Sequence, residues 1–287
     1  MAERDDTSPL LVKVAADMAE HSRAFRRVGK FLLAAPQDFM HAALLDISTA
    51  AEVSEPTVIR FCRHYGYKGM ADFRIALAMS LAGQGTSAGT FLEPRVSDKA
   101  DVNRRQKTAI ARAAFELSRA DRSIIIDSGS TTQLFAEALR NATPKTIMTT
   151  GLNIVETLRH SPQHEVMVPG GTVRFESMSL SGGLVESTLA DMRFDTLYLG
   201  ADAIDPDLGL STYNALEARQ NASMIRLCQR VVVLADSTKF RAPGLHLFCE
   251  ITRIDTIVTD SGLPVAVVES LAARGVKVLC ADPKESP

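Results

Sequence analysis

The run Ser123–Thr132, S-I-I-I-D-S-G-S-T-T, carries the residue types that can cradle an anion. Ile124, Ile125 and Ile126 form a short β-branched apolar run, and Asp127 closes it. A turn of Ser128, Gly129, Ser130, Thr131 and Thr132 then leads into Q-L-F-A-E-A-L-R, a helical pattern. Small residues in such a turn let backbone N–H groups point at one spot. The helix N-terminus adds partial positive charge there, and the hydroxyls add donors. The expected chemistry is phosphate binding. The competing reading is a βα turn whose Ser and Thr only cap the helix.

Three later apolar runs end in polar loops of related character. Pro169–Arg174, P-G-G-T-V-R, has a Gly170-Gly171 pair that permits close backbone approach and an arginine able to pair an anion. Gly200–Asn214 holds Asp202, Asp205 and Asp207, and Ala235–Phe240 holds Asp236 and Lys239. Carboxylates accept hydrogen bonds from hydroxyls, and a lysine supplies a point charge to phosphate. The set is coherent for a phosphorylated sugar. Each loop also has a plainer reading. The Asp cluster fits a solvated turn and lacks the spacing of a calcium loop. Asp236 with Lys239 fits a surface ion pair worth little.

A different chemistry is written in Ala51–Tyr67, A-E-V-S-E-P-T-V-I-R-F-C-R-H-Y-G-Y. Ser54 is placed as an N-cap, and Pro56 sits in the first turn, where its missing N–H costs nothing. Val58, Phe61, Cys62 and Tyr65 fall on one helical face, and Arg60 and Arg63 lie opposite, with Thr57, Ile59 and His64 beside them. Gly66 ends the helix. A preceding helix and a tight turn through Glu52-Val53 complete a helix-turn-helix, about residues 44–63. The second helix of such a motif enters the major groove. Ser54, Glu55 and Thr57 are then candidate base readers, and Arg60, Arg63, His64 and Lys68 candidates for phosphate or guanine. The plainer alternative is a helical hairpin with a solvated basic face.

The elements that position these residues divide the chain. Residues 1–82 read as a helix-turn-helix DNA-binding domain, helical from 9 to about 82, with Leu10–Glu20 and Ala24–Ala34 preceding the motif and Met40–Ala51 opening it. The stretch 83–103 reads as a linker, its start marked by the small, Gly-rich Ala82–Thr90, A-G-Q-G-T-S-A-G-T. From 104 to 287, after an opening helix Lys107–Arg119, β-rich runs alternate with helices. Strands are expected at Ser123–Asp127, Lys145–Thr149, Glu165–Val168, Thr196–Leu199, Val231–Ala235, Thr256–Val258 and Lys277–Leu279. Helices are expected at Thr132–Arg140, Leu152–Arg159, Gly183–Met192, Leu216–Gln229 and Val265–Arg274. That alternation predicts a Rossmann-like α/β domain with a mostly parallel sheet, whose ligands bind at the strands' carboxyl ends. The fold expected overall is multi-domain, all-α followed by α/β.

Composition sets bounds. The 287 residues suit two domains, and 46% hydrophobic residues suffice for real cores. A net charge of −2 gives no global signal for nucleic acid, though charge can be local. Four cysteines without C-x-x-C spacing read as reduced, buried thiols of a cytoplasmic protein. The start M-A-E-R-D-D is too acidic for a signal peptide, and no apolar run approaches the roughly 18 residues of a membrane span. There is no G-K-[ST], H-E-x-x-H, G-x-S-x-G or zinc spacing, so neither a metal nor a redox cofactor is expected.

The segment V-S-E-P-T-V-I-R-F-C-R-H-Y-G-Y-K-G-M-A-D-F-R, Val53–Arg74, resembles the DNA-binding domain of RpiR-type regulators. D-S-G-S-T-T, V-P-G-G-T-V-R, F-D-T-L-Y-L-G-A-D-A-I-D, G-L-S-T-Y-N-A-L-E-A and V-V-V-L-A-D-S-T-K-F occur in that order. Together they resemble the effector domain of DeoR-type repressors of sugar metabolism, over about residues 104–262. That domain is similar to ribose-5-phosphate isomerase. The resemblance implies that Asp127–Thr132 and Gly170-Gly171 surround phosphate and sugar, and that Asp202, Asp205, Glu217 and Lys239 line the pocket. It implies a hybrid regulator, a repressor of carbohydrate genes that binds operator DNA as a homodimer or homotetramer under control of a phosphorylated sugar. No catalytic residue is then expected. The alternatives are a sugar-phosphate isomerase with an appended helical domain and a sugar-phosphate adaptor without DNA. Three positions depart from the patterns: Glu52 where the turn usually has Gly, Thr149-Thr150-Gly151 where T-N-S is common, and Asn221 at a usually basic position.

Overall fold

The computed structural model describes residues 10–82 and 93–283. The chain divides into two units, Met1–Val102 and Asn103–Pro287. The first is helical: α1 (Leu10–Asp17), α2 (Arg23–Ala34), α3 (Pro36–His41), α4 (Leu44–Ala50), α5 (Glu55–His64), α6 (Met70–Ala82) and α7 (Val96–Asp101). Its core joins Val14, Val28, Leu32, Phe39, Ile47, Val58, Phe61, Phe73 and Leu77. The apolar stripe read from the sequence, Val58, Phe61, Cys62 and Tyr65, is buried throughout.

Two local differences have physical causes. The single helix expected over Met40–Ala51 is broken at Ala42 and Ala43, both extended. The Asp46 carboxylate accepts the Ala43 N–H at 3.2 Å and restarts the helix. In the stretch read as linker, residues 83–92 lie outside the described residues. The later part includes α7, whose Asp98 is buried and pairs with Arg74 of α6 at 3.3 Å.

The second unit runs α8 (Arg104–Leu117), β1 (Ser123–Ile126), α9 (Ser130–Leu139), β2 (Thr146–Thr149), α10 (Leu152–Leu158), β3 (Glu165–Met167), β4 (Thr172–Arg174), β5 (Ser179–Ser181), α11 (Gly183–Leu189) and β6 (Phe194–Leu199). It continues β7 (Ala203–Asp205), β8 (Gly209–Thr212), α12 (Ala215–Leu227), β9 (Cys228–Leu234), β10 (His246–Glu250), β11 (Thr256–Asp260), α13 (Val265–Ala273) and β12 (Lys277–Ala281). The seven strands expected from the sequence are those of one sheet, ordered β12-β11-β9-β6-β1-β2-β3. All its pairings are parallel. From β1 the chain winds outward through β2 and β3, then returns to pair β6 on the other side of β1. The loops after β1 and β6 therefore part, which opens a crevice at the carboxyl ends of these two strands.

Five short strands escaped the sequence reading. β4 and β5 form a hairpin, and β10-β8-β7 a small antiparallel sheet. Each holds three to five residues with polar residues or glycine among them, and none stands as an apolar run between two helical patterns. Of the four free cysteines three are buried, whereas Cys280, expected inside, is exposed near the end of β12.

Candidate functional site

The helix-turn-helix is α4, a turn and α5. Ser54 takes extended angles just before α5, and its carbonyl accepts from Thr57 and Val58 N–H. Its side chain does not cap the backbone as expected. The hydroxyl meets Thr57 Oγ1 at 2.9 Å instead. At the far end Gly66 is left-handed, φ 83°, and Gly66 and Tyr67 N–H close on Arg63 and Cys62 carbonyls, a glycine stop.

Ser54, Glu55, Arg60, Arg63, His64 and Lys68 are exposed or partly exposed. Thr57 is not, and here the sequence reading needs correction. It is only 6% exposed, and its hydroxyl is engaged by Ser54 and by Arg60 Nη2 at 3.1 Å. Thr57 holds Arg60 in position rather than presenting itself to a base edge. Arg63 Nε reaches the Lys68 carbonyl at 3.4 Å, and Lys68 N–H is held by Asp72 at 3.0 Å.

The departure at Glu52 has a structural answer. Glu52 is left-handed, φ 49°, as the turn requires. The Arg27 guanidinium grips it twice, at the carbonyl (2.9 Å) and at the carboxylate (3.0 Å). A side chain in this conformation costs about 1–2 kcal/mol relative to right-handed backbone, and the arginine offsets part of that. Arg27 belongs to a basic stripe that the sequence reading missed. Arg23, Arg26, Arg27 and Lys30 are spaced i, i+3, i+4, i+7 on α2. A cleft of about 430 Å³ separates α2 from the start of α5 and is lined by Arg23, Arg27, Val53, Ser54 and Thr57.

The loop Asp127–Thr132, the candidate anion loop, lies at the crevice. Asp127 follows β1 and is 5% exposed; one carboxylate oxygen accepts the Gly200 N–H, just after β6, at 3.3 Å. The α9 N-terminus begins at Ser130, and Ser130, Thr131 and Thr132 are buried. Thr132 Oγ1 donates to the Gly129 carbonyl at 3.2 Å, so this hydroxyl serves the turn itself.

Lys107 of α8 reaches the same loop, its ammonium donating to Ser130 Oγ at 3.0 Å while the residue is only 3% exposed. Sequence reasoning missed it, although a signal was present. Lys107 sits three, four and seven residues before Ile110, Ala111 and Ala114, on the face of α8 that faces the core. A charged residue on an apolar stripe needs a buried anionic or polar partner.

Neighbouring loops are pressed against this one. Thr149 Oγ1 donates to the Ile126 carbonyl at 2.7 Å and accepts the Gly151 N–H at 3.0 Å. A Cβ on Gly151 would stand 3.1 Å from Ser128 Cα and 2.8 Å from Ile154 Cγ1. The departure Thr149-Thr150-Gly151 thus lets the loops after β1 and β2 meet. Thr150 is fully buried, and its hydroxyl has no hydrogen-bond partner among the described residues. The β4–β5 hairpin docks here through Leu152 N–H to Met178 O (2.7 Å) and Leu180 N–H to Thr150 O (2.8 Å). Gly171 at its base, φ 120°, has no room for a Cβ, which would lie 2.7 Å from the Ser181 carbonyl oxygen. Gly170 is left-handed, φ 78°, with open space beside it.

Asp202 accepts from Thr212 Oγ1 at 3.1 Å, and Arg241 clasps its carbonyl at 2.7 Å. Lys239 stands two residues before that arginine. Asp236, 2% exposed, caps the short 3-10 turn Ser237–Lys239 and accepts from Asn103 at 3.1 Å. Glu217, near the start of α12, faces Arg174 of the hairpin at 3.8 Å. Asp205 instead stabilises its own turn. One of its oxygens accepts Asp207 and Leu208 N–H, both at 2.9 Å, and closes the connection from β7 to β8. No described hydrogen bond joins Asp205 to the anion loop. Asn221, at the usually basic position, is 1% exposed with an unpartnered Oδ1.

Comparison with known proteins agrees with both halves. Residues 102–261 match the DeoR C-terminal sensor domain, and residues 10–84 match the rpiR-family helix-turn-helix domain. A protein of Escherichia coli O157:H7, whose name assigns it to repression of the aga operon, is 39% identical over 188 residues, 66% of this chain and 70% of its own. The HTH-type transcriptional repressor CsqR of Escherichia coli (strain K12) is 28% identical over 244 residues, 83% of this chain and 86% of its own. Ribose 5 phosphate isomerase A from Neisseria gonorrhoeae is more distant: 19% identical over 47% of this chain and 53% of its own, with a TM-score of 0.34, which carries no argument. The nearer relatives are named as repressors and not as enzymes, so the choice between regulator and isomerase falls to the regulator. No helix among the described residues is long and apolar enough to cross a membrane. The chain belongs to the transcriptional regulators that carry a DeoR C-terminal sensor domain, here joined to an rpiR-family helix-turn-helix.

Proposed function

We propose that this protein represses carbohydrate-metabolism genes and that a phosphorylated sugar, bound at the β1/β6 crevice, changes its affinity for operator DNA. The observation that carries the effector class is the buried Lys107 ammonium beside Ser130 at the α9 N-terminus. An ammonium, backbone N–H groups and a helix N-terminus converge where a dianionic phosphate would sit. Asp127, Asp202, Glu217 and Lys239 are the polar groups for the sugar, with Gly170 and Gly171 giving backbone access. The effector is the only small molecule this sensing step requires, with no metal or redox cofactor in it.

On the DNA side, α5 enters the major groove with Ser54, Glu55 and Arg60 toward bases and Arg63, His64 and Lys68 toward phosphates. The protein acts as a homodimer or homotetramer in the cytoplasm, because half-sites one helical turn apart are read by paired motifs. The effector controls the switch only by binding one conformation better than the other.

Calorimetric titration of the full chain with phosphorylated sugars and their unphosphorylated counterparts tests this reading. Saturable binding restricted to phosphorylated forms is expected. Equal binding of both forms would refute it.

A further inference from the structure

Asp17, at the end of α1, His21, before α2, and His64, at the end of α5, bring one carboxylate oxygen and two imidazole nitrogens within 4.8 Å of one another. We infer that these three side chains form a divalent transition-metal site, of the zinc class, that clamps the α1–α2 turn to the end of the recognition helix.

The chemistry of the donors selects the metal. Two imidazoles and one carboxylate suit Zn²⁺ or Co²⁺ rather than the hard cations Mg²⁺ and Ca²⁺, which take oxygen ligands. A tetrahedral ion with bonds of about 2.0–2.2 Å sets its ligand atoms roughly 3.4 Å apart. Closing from 4.8 Å needs side-chain rotation by about an ångström. His64 is exposed at a helix end and can supply it.

The surroundings are those of a prepared site. His21 is 8% exposed, and Tyr65 Oη holds its Nε2 at 2.5 Å, which fixes the ring's orientation. Metal-ligating histidines carry this kind of outer restraint. Phe25 packs edge-on against both imidazoles, with ring centroids 5.6 Å from each, and lowers the local dielectric. Three protein ligands leave at least one position for water.

Sequence spacing could not show this. Asp17 and His21 stand four apart, but the third ligand comes from another helix, so no short zinc pattern exists.

The test is titration of the untagged full chain, carrying Cys280→Ser to remove the exposed thiol, with Co²⁺ followed by visible absorption. The site predicts saturation at one equivalent per chain with the intense bands of four-coordinate Co²⁺, bleached by Zn²⁺. His64→Ala, at an exposed position, should weaken Co²⁺ binding at least tenfold, and Asp17→Asn likewise, with circular dichroism unchanged. Absence of four-coordinate bands at one equivalent would overturn the inference. So would bands that survive His64→Ala undiminished.

Discussion

The exposed face of α5 and the loop before α9 both collect positive charge, yet they present it in opposite ways. Arg60 and Arg63 stand exposed on a convex helix, and Thr57 beneath them is buried to orient one of them. Lys107 is 3% exposed and meets its target from inside the fold. Exposed cations keep their hydration and act on a polyanion largely by releasing its counterions, so they are many and individually modest. A buried ammonium must find its partner inside the fold, so under the proposed function this one residue would carry much of the effector affinity and most of the selectivity.

The first way to break this contrast is at Lys107. Lys107→Met keeps the stem and removes the charge. Loss of a charge-assisted hydrogen bond of about 2–3 kcal/mol should weaken phosphorylated-sugar binding by about 30- to 150-fold. Operator affinity without effector should stay at the wild-type value, measured by gel shift. Retained effector affinity would place the phosphate elsewhere.

Arg60→Ala should come next, costing about 1–3 kcal/mol of operator affinity and relaxing specificity at one base position, with effector binding untouched. Thr57→Val should produce a weaker version of the same defect, because it frees Arg60 rather than removing it. If Thr57→Val instead abolished recognition while Arg60→Ala did not, the two roles would be reversed. On α2, Arg26→Ala and Lys30→Ala should weaken all DNA sequences alike and reduce the slope of log affinity against log salt by about one each.

The same contrast explains what was legible in the sequence. Exposed cations opposite an apolar stripe are visible as helical periodicity, and α5 was found that way. The seven central strands were found because each is a short, largely apolar or β-branched run between helical patterns. The basic stripe on α2 has equally regular spacing. It escaped because no turn signal drew attention to that helix. Lys107 escaped for a different reason. Its partner Ser130 is brought to it by the packing of α8 on α9, and nothing local in Lys107–Arg119 states that contact. Asp205 shows another limit: the spacing of Asp202 and Asp205 says nothing of the turn that one Asp205 oxygen closes. Asp207, the third, pairs with Arg274.

Smaller effects sharpen the picture of the turn between α4 and α5. Arg27→Ala should lower the stability of the helical unit by about 1 kcal/mol, seen as a lower urea midpoint, since it removes two contacts that hold left-handed Glu52. Glu52→Gly should be nearly neutral, because relief of about 1 kcal/mol of backbone cost offsets loss of a half-exposed ion pair. A strongly destabilised Glu52→Gly would show that the ion pair dominates.

The smallest effect is at the opposite end of the sheet. Asp195 accepts Arg122 and Ser123 N–H, both at 2.9 Å, and these bonds hold its carboxyl below the ordinary range. A depressed folded pKa contributes stability above the unfolded value of about 3.9, and that stability is lost as pH falls through the folded pKa. Asp195→Asn should therefore flatten the acid limb of the stability profile and leave effector binding intact. An unchanged acid limb would count against those bonds.

The most direct test of effector control through Lys107 is fluorescence anisotropy of a labelled operator, titrated with a panel of phosphorylated sugars on wild type, Lys107→Met and Arg60→Ala. One phosphorylated sugar should shift wild-type operator affinity, and its unphosphorylated form should not. Lys107→Met should bind the operator normally but fail to respond, and Arg60→Ala should bind poorly whatever is added. A Lys107→Met protein that responds like wild type would contradict the central claim.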